Sequence, residues 1–424
     1  MSLPGAGTGS DNSAKLRRLV LISAFLGWMF DSMDLNIFTL ILVPCISELT
    51  GATDANEVAR IGGLVVGAKL FAWGCGGVFF GVAADRYGRS RVMAITILLY
   101  SVFTGLSAFA QTWQQLAVFQ ALAGLGIGGE WAAGAALVAE YWAPEKRSRA
   151  IQIMQMAFAF GFMAAALNNL LLGSLGWRWV LGVGVLPAVL TVFLRRFIPE
   201  PEMWRIENEK GRGVHEGFTT KIAALFSASL RRPTIVGVLI ASAAMVGSWG
   251  GLTLMPNWIR GIIKAGGIAL SPQHVTSVTF MLMMAGAIVG YVCLALVGDQ
   301  LGRRNSYFIF WSGSLAVSLC MFSFVSGIEQ LYLFAPVYGF FVIGGFGTFA
   351  AYLPELFPTR VRATGQGFCW NVARILTSIG PLAIGAMLHY FHTFSMVASV
   401  LSLFILVGLA SIWFGPETSG RRLE

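Results

Sequence analysis

The stretch Gly81-Val82-Ala83-Ala84-Asp85-Arg86-Tyr87-Gly88-Arg89-Ser90-Arg91 decides how the rest of the chain reads. One long apolar run enters it and another leaves it. A compact basic segment between two such runs predicts a tight cytoplasmic turn between two membrane helices. Gly88 permits the backbone turn, and Arg86, Arg89 and Arg91 hold that turn on the positive side of the membrane. Asp85 stands where the first helix ends, poised to pair with one of those arginines or with a neighbouring helix end.

The stretch recurs. Asp299-Gln300-Leu301-Gly302-Arg303-Arg304 repeats the Asp, Gly and Arg spacing 214 positions later, close to half of the 424-residue chain. Pro144-Glu145-Lys146-Arg147-Ser148-Arg149-Ala150 is echoed by Pro358-Thr359-Arg360-Val361-Arg362-Ala363 at the same offset, and Pro199-Glu200 is echoed by Pro416-Glu417. Internal symmetry at half length is what a two-half membrane transporter predicts.

Composition agrees. The chain is 56% hydrophobic and 12% charged, with a mean hydropathy of +0.72, against roughly 25% charged residues in a soluble domain. The net charge of +9 resides in short loops between apolar runs, so it reads as membrane topology and not as nucleic-acid binding. The five cysteines are scattered, with no metal or disulfide spacing. No nucleophile–base motif is present, so neither an enzyme nor a cofactor is expected.

The repeated, ordered set of signatures resembles the major facilitator superfamily: the loop after helix 2, its copy after helix 8, the Pro-Glu-x-x-Arg-x-Arg run after helix 4, and Pro-Glu after helices 6 and 12. The resemblance covers nearly the whole chain. It implies an all-α membrane protein of twelve transmembrane helices in two pseudo-symmetric six-helix halves. Apolar runs of about 20 residues place the spans at 17–45, 60–84, 91–110, 113–142, 148–173, 178–198, 234–261, 273–298, 305–326, 330–353, 363–390 and 394–415. The expected organisation is a disordered cytoplasmic N-terminus (1–16), an N-terminal half (17–198), a cytoplasmic central loop (199–233), a C-terminal half (234–415) and a cytoplasmic tail (416–424). Trp204 to Lys210 reads as a short amphipathic helix on the membrane surface. With both termini in the cytoplasm, 23 of the 29 Lys and Arg residues fall on cytoplasmic segments, the asymmetry that sets orientation. A bacterial inner (plasma) membrane and a monomer are expected, with lipid and no nucleic acid as partner.

Five ionisable residues lie well inside apolar spans: Asp31, Asp34, Lys69, Glu130 and Arg374. Each costs about 2.5–3.5 kcal/mol at a helix centre on insertion scales, so they must pair, line water or bind something charged. Asp31 and Asp34 are three apart and share one helix face. Two close carboxylates resist joint ionisation, so one can hold a proton near neutral pH; the alternative is a salt bridge to Lys69 or Arg374 that only locks helices. Arg374 follows Asn371 by three and shares its face. A guanidinium offers a planar fork for a carboxylate; the alternative is pairing with Asp31, Asp34 or Glu130. Lys69 is a second anion contact, a partner for Asp34 or a snorkelling residue. Glu130 is a second proton site or a packing and gating residue within the Gly124–Gly134 close-approach stretch. Asn168, Gln155 and Trp249 are neutral cavity candidates, against the ordinary reading of intramembrane amides as interhelical glue.

A narrower resemblance accompanies these residues. Asp31-Ser32-Met33-Asp34 is similar to the Asp-Gly-x-Asp of aromatic-acid:proton symporters and to its equivalents in sialate and lactate symporters, with Ser32 in place of Gly. Gly-Gly-Glu-Trp at 128–131 looks like the same organic-acid and sugar-related branches, with Gln120 where they carry Arg. Trp370-Asn371-Val372-Ala373-Arg374 resembles their aromatic-Asn-x-x-Arg pattern. The resemblance implies proton-coupled symport of an organic-acid anion by alternating access. It implicates the Asp31 and Asp34 carboxylates in proton coupling; the residues themselves add Glu130 as a candidate proton site and Arg374, Asn371 and Lys69 as candidate cargo contacts. It assigns a cytoplasmic gate to Gly81, Asp85, Arg86, Gly88, Arg89, Glu140 and Arg149, and to Asp299, Gly302, Arg303, Glu355 and Arg362. The rivals are a sugar or polyol porter, a drug exporter and a non-transporting receptor.

Overall fold

A computed structural model describes residues 8–52, 54–187, 189, 198–209, 217–266, 270–378 and 380–420. Among them ten helices are long and apolar enough to cross a membrane, from Ala14–Thr50 to Phe394–Phe414. The two remaining spans of the twelve are described only in part. The sixth begins as α6 (Trp177–Gly182) and a 3-10 turn at Val183–Val185, and the rest of it falls mostly outside the described residues. The eleventh is described as α14 (Arg362–Ser378) and α15 (Gly380–Phe391), with residue 379 outside the described residues.

The chain divides into two compact units. One takes in the described residues up to Phe218 together with Pro358–Thr364. The other runs Thr219–Phe357 and continues from Gly365. The first is built from α1 (Thr8–Thr50), α2 (Ala55–Tyr87), α3 (Arg89–Ser107), α4 (Trp113–Tyr141), α5 (Pro144–Leu172), α6 and α7 (Glu202–Glu209). α2 lies along α4, α1 along α5, and α3 along α4. Glycines let α2 and α4 touch: a Cβ on Gly124 or Gly128 would collide with the backbone oxygens of Lys69 or Trp73. Such close backbone approach is how helices associate where lipid removes the hydrophobic drive between them. α1 begins at Thr8, within the stretch 1–16 expected to be disordered, and residues 1–7 lie outside the described residues. α7 covers residues 204–209 of the short helix expected at 204–210, and residue 210 lies outside the described residues.

The second unit holds α8 (Phe218–Leu225, from its second residue), α9 (Arg231–Gly266), α10 (Pro272–Leu301), α11 (Arg303–Phe324), α12 (Ile328–Tyr338), α13 (Phe346–Glu355), most of α14, α15, α16 (Phe394–Ser402) and α17 (Ile405–Ser411). α10 meets the tenth span through glycine as α2 meets α4: a Cβ on Gly286 would strike Pro336 O and one on Gly339 would strike Met283 O. Here the regular helix gives way. Gly339–Ile343 is a π turn, with Gly344 N donating to Gly339 O at 3.0 Å. Phe340 stacks on Phe310, ring centroids 5.3 Å apart. Nothing in the period of the sequence announces this turn.

Candidate functional site

The first unit gathers four of the five intramembrane charges. α1 supplies Asp31 and Asp34, α2 Lys69 and α4 Glu130, each no more than 2% exposed. Lys69 Nζ lies 2.7 Å from Asp34 Oδ2 and 5.3 Å from the centre of the Phe38 ring. The hydroxyl of Thr104 donates to Asp34 Oδ1 at 2.5 Å. Both Asp34 oxygens are therefore occupied, and Lys69 is a buried ion-pair partner, not a snorkelling residue. Asp31, Glu130 and Tyr100 of α3 are buried in the same unit, and Glu130 Oε1 reaches the α1 backbone at Gly27. Thr104 and Tyr100 escaped the sequence reading. Their spacing of four puts both on one face of α3, the available signal for a polar face in an apolar span.

The neutral candidates of this unit hold structure together. Asn168 Nδ2 donates to Val180 O at 3.0 Å and joins α5 to α6. Gln155 Oε1 accepts from Trp131 Nε1 at 3.1 Å, and Trp131 packs against Trp28.

The second unit carries Arg374 on α14, partly buried. Its Nη1 donates to Asn371 Oδ1 at 2.8 Å, and Asn371 Nδ2 donates to Gly367 O at 2.8 Å. Asn371 thus steers the guanidinium. The guanidinium carbon lies 5.9 Å from the Trp370 ring, which packs on Phe346 and Phe349. The result is a cation backed by an aromatic wall, suited to a planar anion. Trp249 of α9 is 36% exposed.

The repeated loops form two charge networks. In the first unit, Arg89 meets Asp85 at 2.9 Å and Glu140 at 3.1 Å, and Arg362 meets the same Glu140 oxygen at 2.7 Å. Asp85 Oδ1 and Oδ2 accept from Ala363 N (3.2 Å) and Thr364 N (2.7 Å), capping the positive end of α14. Gly81 makes room, since a Cβ there would sit 2.7 Å from Ala363 O. Gly88, at φ +107°, carries the turn. Arg86 stacks on Tyr87. Arg149 is exposed, whereas Arg147 is buried and donates Nε to Ala139 O. Glu200 accepts from Ser90 N and Arg91 N at the start of α3, and burial raises it above its ordinary value. In the second unit, Arg303 reaches Glu355 with Nε and Nη2 (2.9 and 3.0 Å) and Asp299 with Nη1 (2.8 Å). Gly302 takes φ +81°. Burial pushes Glu417 up, but the amides of Ser419, Arg303, Arg304 and Thr418 outweigh it and hold its carboxyl below the usual range. No cluster of metal-ligating side chains occurs among the described residues.

The family model of the Major Facilitator Superfamily matches residues 21–381. The chain belongs to that family: it is an integral membrane transporter and not an enzyme. It is 31% identical over 410 residues to a provisionally named metabolite transport protein of Haemophilus influenzae, covering 95% of this chain and 97% of that one. It is 27% identical to the niacin transporter NiaP of Acinetobacter baylyi (94% of each chain) and 27% identical to that organism's cis,cis-muconate transport protein (87% of each). The solved proton:xylose symporter XylE shares the fold, with a TM-score of 0.78 at 17% identity over 97% of this chain and 98% of that one.

Proposed function

We propose that this chain is a proton-coupled symporter of an organic-acid anion, working by alternating access in a bacterial inner membrane with both termini cytoplasmic. The observation that carries the reading is Arg374, a cation inside an apolar span, aimed by Asn371 and backed by Trp370. Relatives named for niacin and cis,cis-muconate support a carboxylate as the cargo. Arg374 binds the carboxylate, and the acids of the first unit carry the proton. Inward movement of a monoanion against an inside-negative potential costs about 2.3 kcal/mol per 100 mV; one accompanying proton removes that cost and a second turns the potential into a driving force.

The test is uptake into proteoliposomes of nicotinate, benzoate, cis,cis-muconate, N-acetylneuraminate and xylose under an imposed pH gradient. Acid accumulation that collapses with the gradient is the expected result. Accumulation of xylose with every acid inert rejects the proposal in favour of a sugar porter. Arg374→Lys keeps the charge but loses the fork, and acid affinity should fall about tenfold or more, the loss of one charge-assisted hydrogen bond. Unchanged affinity removes Arg374 from the binding role.

A further inference from the structure

We infer that the second unit carries a site for the phosphate of an anionic phospholipid, built where Arg232 and Arg304 converge on the last turn of the twelfth span. The inference goes beyond transport and does not depend on the symport reading.

The site follows from how one helix end is finished. A helix leaves its last carbonyls without donors of its own, and the twelfth span closes on a 3-10 turn, Ile412–Phe414. Two arginines supply the donors. Arg232, the second residue of α9, gives Nε to Phe414 O at 2.8 Å, and Arg304, the second residue of α11, gives Nη2 to Trp413 O at 3.1 Å. Both bonds lie on the exposed surface of the unit. The two carbonyls belong to consecutive residues, so the guanidinium groups are held side by side. Among the described residues neither meets a carboxylate. Glu417 accepts from the backbone amide of Arg304, and its oxygens also take the amides of Arg303, Thr418 and Ser419.

The internal repeat shows that the charge exceeds what the tie requires. Position 304 corresponds to Ser90, 214 residues earlier. In the first unit Ser90 Oγ donates to Ile198 O at 3.0 Å, just before the Pro-Glu pair of that half. A hydroxyl therefore suffices for the equivalent bond, and arginine adds a cation with N–H groups to spare. The surroundings of that cation fit a lipid. The guanidinium carbon of Arg304 lies 4.9 Å from the centre of the Trp413 ring, and Phe308, one turn further along α11, packs on the same ring at 5.6 Å. Phe308, Trp413 and Phe414 are all exposed. Exposed aromatic side chains at the end of a membrane span sit at headgroup level. The patch thus offers forked N–H groups to a phosphate diester and apolar surface to the chains beneath it. Free phosphate would use the first alone, and the exposed rings commit the site to lipid.

Native mass spectrometry of the full chain in detergent, titrated with dioleoylphosphatidylglycerol, tests the site. The wild type should retain one such lipid more tightly than dioleoylphosphatidylcholine. Arg304→Ser copies the first unit, keeping a hydroxyl donor and dropping the charge. It should weaken retention about fivefold, and Arg232→Gln combined with Arg304→Ser about twentyfold, from the contribution of each Lys or Arg near an anionic surface. Arg260→Gln removes one exposed charge near the other end of α9 and should leave retention unchanged. Unaltered retention in the double variant overturns the inference, as does a loss in Arg260→Gln equal to that in Arg304→Ser. Equal retention of phosphatidylcholine by the wild type overturns the reading of the headgroup charge. Displacement of the lipid by excess inorganic phosphate assigns the patch to free phosphate and overturns the lipid. If the double variant loses helix by circular dichroism, Arg304→Ser alone decides.

Discussion

The two charged loops share a sequence pattern but not an electrostatic environment. Around Asp85 the described side chains balance: two arginines, Arg89 and Arg362, meet two acids, Asp85 and Glu140, and all four side chains are fully buried. Around Asp299, Arg303 meets both Asp299 and Glu355, and Asp299 keeps 32% of its side chain exposed. The second network leaves one of its acids, Asp299, partly in water. The first is fully buried and adds the peptide amides of Ala363 and Thr364 as donors to Asp85. An Asp-x-x-Gly-Arg signature therefore fixes a turn and an ion pair, and the neighbouring segments decide what that pair stabilises.

The comparison breaks most sharply at the glutamates. Glu140→Gln removes the carboxylate that two buried guanidinium groups, Arg89 and Arg362, share and should destabilise the detergent-solubilised protein by about 3–5 kcal/mol. Glu355→Gln leaves Arg303 with Asp299 and should cost on the order of 2 kcal/mol. Denaturant unfolding of the two variants side by side checks the ranking, and equal losses would mean that the loops are energetically alike. Asp85→Asn should follow, at about 3 kcal/mol, while Asp299→Asn should stay below about 1 kcal/mol because water already solvates it. Gly88→Ala and Gly302→Ala each force a side chain into positive φ, at about 1–3 kcal/mol. Gly88 should be the costlier, since its Cβ would lie 2.5 Å from the Glu200 carboxyl, against 3.0 Å from Glu417 for Gly302.

The smallest effect is in pH. Glu200 titrates above its ordinary 4.5, so the folded state holds that proton more tightly, and stability falls as pH rises from 4.5 through the raised value. Glu417 titrates below 4.5; its contribution is present above 4.5 and is lost as pH falls through its lowered value. Unfolding free energy measured against pH should flatten on the alkaline side of 4.5 in Glu200→Gln and on the acid side in Glu417→Gln. The same response in both variants would erase the distinction.

Much of this was legible in the sequence. Span count and internal symmetry follow from apolar runs and repeated loops, because the bilayer permits so few alternatives. The five intramembrane charges stood out for the same reason, and Lys69 with Asp34 was among the pairings the pattern allowed. Which acid took the lysine was not legible. That depends on the rotation of α1 against α2 and α4, and glycine contacts at Gly124 and Gly128 set the α2–α4 part of it. Thr104 and Tyr100 are ordinary residues for an apolar helix until a carboxylate is found beside them. The π turn at Gly339–Ile343 is set by packing among Phe310, Phe340 and Phe341, which no local period encodes.

Pro358–Thr364 has a further consequence. The repeat would assign this segment to the back half of the sequence, yet the chain returns at that point to complete the front unit and then departs again. A cut at the midpoint of the sequence is therefore not a cut of the architecture. A fragment ending at Phe218 would leave Asp85 without two of its donors and Glu140 without one of its arginines, so anyone dissecting this transporter into halves must carry a seven-residue piece of the second half along with the first.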